Sequence, residues 1–133
     1  MEIYKAVERK PKLAPSNWFT GQVWQELIFE APTPARVHAL KVTFESGART
    51  AWHTHPLGQT LYVVGGKGLI ASRKQSVQII QSGDTVWIPP DEEHWHGACP
   101  KTAMVHIAIQ ECLNGSVADW LEHVSEEEYN KIE

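Results

Sequence analysis

Short apolar-rich runs recur along the chain, and glycine or proline separates most of them from the next. The runs at residues 22–30, 36–44, 60–64, 68–72, 77–81, 85–88 and 102–110 include many Val, Ile, Trp and Phe, side chains that fit a pleated, half-buried surface. Where apolar and polar positions alternate, an extended strand sends the two kinds to opposite faces. On the last run, Met104, His106, Ala108 and Gln110 therefore share one face and Val105, Ile107 and Ile109 the other. Strands this short and this often interrupted predict an all-β protein, a sandwich or barrel built from antiparallel hairpins. The pattern changes near the C-terminus. SVADWLEHV and SEEEYNKIE each open with a serine followed three residues later by an acid, the pattern of a reciprocal helix cap, which predicts two short helices starting at Ser116 and Ser125.

A chain of 133 residues has the length of one domain, so residues 1–133 are read as a single unit. Twelve Lys and Arg against sixteen Asp and Glu leave a formal charge of −4, which offers no electrostatic basis for a nucleic-acid partner. No run approaches the roughly 18 apolar residues of a membrane span. Charges occupy the opening MEIYKAVERKPK where a signal peptide needs its apolar core, so a cytoplasmic protein with no membrane partner is expected. Cys99 and Cys112 are too few for a disulfide scaffold and lack zinc-clip spacing. The unusual feature is six Trp and seven His in so short a chain.

Four of the histidines form two pairs. Residues 47–66 read GARTAWHTHPLGQTLYVVGG and residues 83–98 read GDTVWIPPDEEHWHGA. In extended backbone, His53 and His55 point to one face, and so do His94 and His96. Imidazole binds Mn, Fe, Co, Ni, Cu or Zn through one nitrogen, so a third or fourth ligand converging on the first pair would complete a mononuclear site. Lone histidines more often sit half-buried and hydrogen-bonded in strands, which is the reading for His38 and His123. Trp52, Trp87 and Trp95 alternate out of phase with the histidines and are expected to pack on the opposite face.

These residues resemble the two motifs of the cupins. The first, G-x5-H-x-H-x3,4-E-x6-G, is met by Gly47, His53, His55 and Gly66, with Gln59 in place of Glu. The second, G-x5-P-x-G-x2-H-x3-N, is met by Gly83, Pro89 and His94, with Asp91 in place of its glycine and Ala98 in place of its asparagine. HTHPLGQT, EEHWHGA and TAMVHIAIQE, within a likeness running from WFTG to ADWLEHV, are similar to the small manganese-dependent cupin hydroxynitrile lyases of bacteria. The resemblance implies a cupin double-stranded β-helix, that is, an antiparallel β-barrel, with the short helices after it. It implies one divalent ion per subunit, manganese favoured and Fe, Zn, Ni or Co open, on His53, His55, Gln59 and His94. The implied activity is a lyase that cleaves or forms cyanohydrins.

Gln for Glu has a consequence of its own. Three imidazoles and an amide leave a divalent ion its full +2 charge, so the site should hold an anionic ligand more strongly than a carboxylate-bearing one would. His106 is a general base or acid candidate whose pKa can sit near neutrality, and His96 a residue that could orient substrate or act with it. Leu40, Val42 and Met104 are expected to form the apolar wall of a small-molecule pocket, with Thr50 and Gln110 as its polar members. A face carrying Val105, Ile107 and Ile109 predicts cover from the N-terminal strand or from a second subunit, hence a homodimer or homotetramer. A dioxygenase acting on a small organic substrate and a non-catalytic ligand-binding cupin remain alternatives, because a fold alone does not make an enzyme.

Overall fold

The structure is a computed structural model that describes residues 1–132. Twelve antiparallel strands curl into a barrel: β1 (Lys12–Leu13), β2 (Phe19–Thr20), β3 (Val23–Glu30), β4 (Val37–Phe44), β5 (Arg49–Thr50), β6 (His53–Thr54), β7 (Gln59–Ser72), β8 (Gln78–Gln81), β9 (Thr85–Ile88), β10 (His94–Ala98), β11 (Met104–Glu111) and β12 (Asp119–Trp120). The main path of hydrogen-bonded neighbours runs β1-β3-β4-β11-β7-β10-β5-β2. Strand β7 belongs to both walls: its first half pairs with β11 and β9, its second half with β10 and β8. The antiparallel barrel is the one that the alternation predicts and that the resemblance to the cupins implies.

Glycine explains why β7 was expected as two strands, 60–64 and 68–72. Gly65, Gly66 and Gly68 read as breaks, but they lie inside one continuous strand. Gly66 has φ +75, and a Cβ there would overlap the Ala103 carbonyl oxygen, while a Cβ on Gly68 would meet Gly97 and the Met104 side chain. These glycines let neighbouring backbone approach closely while the strand turns from one wall to the other.

Met104 therefore fills the core rather than the pocket wall. It is fully buried and clusters with Phe19, Val23, Val42, Phe44, Val63 and Ile80. Burying each such side chain contributes about 1.5–3 kcal/mol. A second cluster, Trp52, Leu69, Ala71, Trp95, Val124 and Tyr129, joins the barrel to the C-terminal segment. Trp52 and Trp95 pack as expected, whereas Trp87 is 59% exposed on the outside. It shares that exposure with Tyr62, Val64 and Ile109, while Val105 and Ile107 are half-buried.

The helix expected at Ser116 is absent. Asn114 and Gly115 both have positive φ, Leu113 and Ser116 form a bridge, and the chain then continues as β12, which pairs with β6 so that Trp120 opposes His53. A free strand edge and an aromatic contact outweigh a local capping pattern. The helix at Ser125 does form, as α1 (Glu126–Tyr129), with a complete capping box between Ser125 and Glu128. Among the described residues no helix is long and apolar enough to cross a membrane.

Candidate metal centre

Two short strands, β6 and β10, bring the histidine pairs together, with His55 just beyond the end of β6. In the antiparallel register His94 on β10 lies opposite His53 on β6, so one member of each H-x-H pair meets the other across two strands. Asp91, where the family motif has glycine, adopts φ +62. It supplies the left-handed turn before β10 that aspartate tolerates better than most residues. The ring centroids of His53 lie 4.2 Å from His94, 5.0 Å from His55 and 5.4 Å from His96. His53 is the hub, and Trp120 stacks on it at 4.5 Å.

The hydrogen bonds decide what these rings can do. Nδ1 of His53 meets the Ala51 carbonyl at 2.8 Å, Nδ1 of His55 the Val117 carbonyl at 2.7 Å, and Nδ1 of His94 the Glu92 carbonyl at 2.9 Å. A carbonyl only accepts, so each Nδ1 carries the proton and each Nε2 is left with a lone pair. Nε2 of His55, His94 and His96 is buried without a partner, and so is Oε1 of Gln59. The Gln59 amide is oriented by its own Nε2, which donates to Gln110 Oε1 at 3.0 Å. Buried polar atoms left unpaired cost about 1–3 kcal/mol each, so the lone pairs left on His55, His94 and Gln59 call for a cation, and His96 joins them only in the tautomer that keeps its proton on Nδ1. This donor set, imidazole nitrogens with an amide oxygen, fits a divalent metal ion.

Two descriptions of the ligand set overlap. His53, His94 and His96 offer ligand atoms all within 4.8 Å of one another, a group able to hold one ion, whereas the carbonyl-anchored rings are His53, His55 and His94. His53 and His94 belong to both. His96 differs chemically, because its Nδ1 is 3.1 Å from His106 Nε2 rather than bonded to a carbonyl.

Burial pushes every one of these rings toward the neutral form, which is the ligating form. For His53 and His96 burial comes first and neighbouring rings add to it; for His55 burial dominates against its carbonyl bond. Burial also takes His94 and His106 down to about 4. The near-neutral pKa expected for His106 is therefore corrected: wholly buried beside another imidazole, it stays uncharged through the neutral range.

A cavity of about 220 Å³ opens onto the rings. Leu40, Val42, Thr50, His106 and Gln110 all line it, along with His53, His55, Gln59 and His96. His94 lines a neighbouring groove between β8 and β9. Phe44 and Ala108 belong to the same wall, and Phe19, Trp18, Trp120, Val117 and Ala118 extend it. Reading the sequence missed the last five, and only the tertiary pairing of β12 and β2 brings them in. His38 is half-buried with its Nε2 unpaired, and His123 is exposed outside any strand, so neither is the hydrogen-bonded strand residue expected.

Residues 40–109 match the cupin domain family. The chain belongs to the cupins. This cupin is 52% identical over 131 residues, 98% of its length and 100% of the relative's, to an (R)-mandelonitrile lyase of Granulicella tundricola. A crystal structure of a cupin-like protein from Thermotoga maritima superposes with a TM-score of 0.87 at 41% identity, covering 96% of each chain. A polyketide cyclase of Streptomyces resistomycificus shares the fold at 16% identity, with a TM-score of 0.76 over 97% of this chain and 90% of that one. The resemblance noted on HTHPLGQT and TAMVHIAIQE thus extends over nearly the whole cupin.

Proposed function

We propose that this cupin is a metal-dependent lyase that cleaves or forms cyanohydrins, with one divalent ion, manganese favoured, on His53, His55, Gln59 and His94. The observation that carries this reading is the near-full-length likeness to a mandelonitrile lyase, combined with unpaired lone pairs at the floor of a mostly apolar cavity. A bound ion would supply Lewis acidity to the oxygen of a hydroxyl or carbonyl group.

The remaining chemistry falls to the chain. Leu40, Val42, Ala108 and Phe44 exclude water from the organic part of the substrate. His106 and His96 handle the proton. Each neutral ring carries one N–H, and only one proton can lie between His106 Nε2 and His96 Nδ1. When His106 donates that proton, its buried Nδ1 is a free base able to take the hydroxyl proton of a cyanohydrin. When His96 donates it, His106 Nδ1 must carry the proton instead and becomes an acid. Cleavage breaks the carbon–cyanide bond as the oxygen loses its proton, giving an aldehyde or ketone and cyanide. The exposed face with Tyr62, Val64, Trp87 and Ile109 suits a second copy of the chain, in a homodimer or homotetramer.

Metal analysis of the purified protein followed by cyanide-release assays on a panel of cyanohydrins tests this function. Stoichiometric metal with cyanide release that chelation removes supports it; metal-loaded protein inert on every cyanohydrin, and taking up dioxygen with a small organic substrate, refutes it.

A further inference from the structure

The metal cavity opens next to a second, basic one. Gln25 and Leu40 line both. The outer cavity is otherwise formed by the N-terminal segment, with Lys5, Arg9, Lys10 and Lys12 opposed there by Glu8 alone. This concentration of positive charge occurs in a chain of net charge −4. Arg9 is partly engaged by Glu26 at 3.9 Å. Lys5, Lys10 and Lys12 have no carboxylate in ion-pair range among the described residues.

The strand register ties this basic mouth to the reacting end. Lys12 on β1 opposes Gln25 on β3, Gln25 opposes Val42 on β4, and Val42 opposes His106 on β11. Opposed residues of neighbouring strands project from the same face, so Lys12, Gln25, Val42 and His106 form one row that runs from the basic cavity into the inner one. Three strand spacings put the ends of that row about 14 Å apart. A lysine side chain covers part of this span with its methylenes while its ammonium stays wet. No carboxylate lines the inner cavity, so nothing there repels an incoming anion, and clefts lined by one sign of charge focus their field on the opening.

We propose that the physiological substrate carries a carboxylate at the end remote from the reacting carbon. Its apolar body lies against Leu40 and Val42, and its carboxylate rests among Lys5, Lys10 and Lys12. The proposal rests on the lyase reading only for what happens at the reacting end.

The test is calorimetric binding of 4-formylbenzoate and of its neutral methyl ester to the metal-loaded protein and to a variant carrying Lys5→Gln, Lys10→Gln and Lys12→Gln. All three lysines are exposed, so the variant retains the fold. The acid should bind several-fold to about tenfold more tightly than the ester in dilute buffer. That preference should shrink as the screening length falls from about 30 Å at 0.01 M salt to about 8 Å at 0.15 M. In the triple variant the two affinities should converge. Equal affinities in the parent protein overturn the proposal, as does a preference that survives the triple substitution, which would place the anion on the metal instead. Cyanohydrin formation from both aldehydes, followed in parallel, separates the two ideas. Inert aldehydes with the binding preference intact keep the carboxylate site and count against the lyase alone, and turnover without preference overturns the carboxylate site and keeps the lyase.

Discussion

Two buried polar clusters lie four residues apart in sequence, and they behave in opposite ways. Arg49 is 4% exposed, yet every nitrogen of its guanidinium has a partner. Nε and Nη2 donate to the Val124 carbonyl at 3.3 and 3.0 Å, Nη1 donates to the Gly47 carbonyl at 3.4 Å, Nη2 also meets Glu126, and the group sits 4.4 Å over the Tyr129 ring. Around His53 the rings are equally buried, but one nitrogen of His55, His94 and His96 finds nothing. Burial of polar groups is common to both; satisfaction is not. A satisfied cluster holds the C-terminal segment to the barrel, and an unsatisfied one is built for something that is not protein.

The sharpest way to break that comparison is to remove one member of each cluster. His53→Ala should abolish stoichiometric metal and bring turnover to background, as metal analysis and cyanide release will show. Arg49→Met should keep the metal while lowering stability by about 1–3 kcal/mol, the cost of stranding buried carbonyls, because the exposed Glu126 adds little. If Arg49→Met also loses metal, the two clusters are not separable. Next in size, His55→Ala should lose stoichiometric binding and His96→Ala should retain it, if carbonyl-anchored rings are the ligands; a metal titration giving the reverse order would choose the set His53, His94 and His96.

Acid tests the same contrast without mutation. In the metal-free protein His94 and His106 bind protons only near 4, whereas in the unfolded chain they do so near 6.5. The unfolded state therefore holds more protons between these values, so stability is complete above about 6.5 and declines as pH falls toward 4, by on the order of 3 kcal/mol for His94 alone. Thermal melts across that window should show the decline, and a flat profile would mean that the rings are solvated. The smallest effect is expected at Gln110→Leu, which removes the partner that aims Gln59. A ten- to hundred-fold loss of metal affinity is the usual scale for such supporting residues, and unchanged affinity in a titration would leave Gln59 outside the ligand set.

Much of this site could be read from sequence because strands repeat every two residues. His53 with His55, His94 with His96, and the inner face of residues 104–110 follow from that period alone. Contacts between distant segments do not. The Gln59 to Gln110 bond joins residues 51 apart, and nothing local predicts it. Strand β12 was hidden because Ser116 and Asp119 imitate a helix cap, while the pairing that overrides them comes from β6. The low His106 pKa is hidden from the sequence for a similar reason. Type and face were legible, but the depth of burial that lowers it is a property of the closed barrel.

Under the proposed function, metal and proton fall to different histidines. Metal content and cyanide-release rate measured on one preparation of His106→Ala test it most directly. The variant should keep one ion per chain and lose about 10²–10⁴ in turnover, the usual share of general acid–base catalysis. Metal lost in step with activity would make His106 a ligand and contradict the claim.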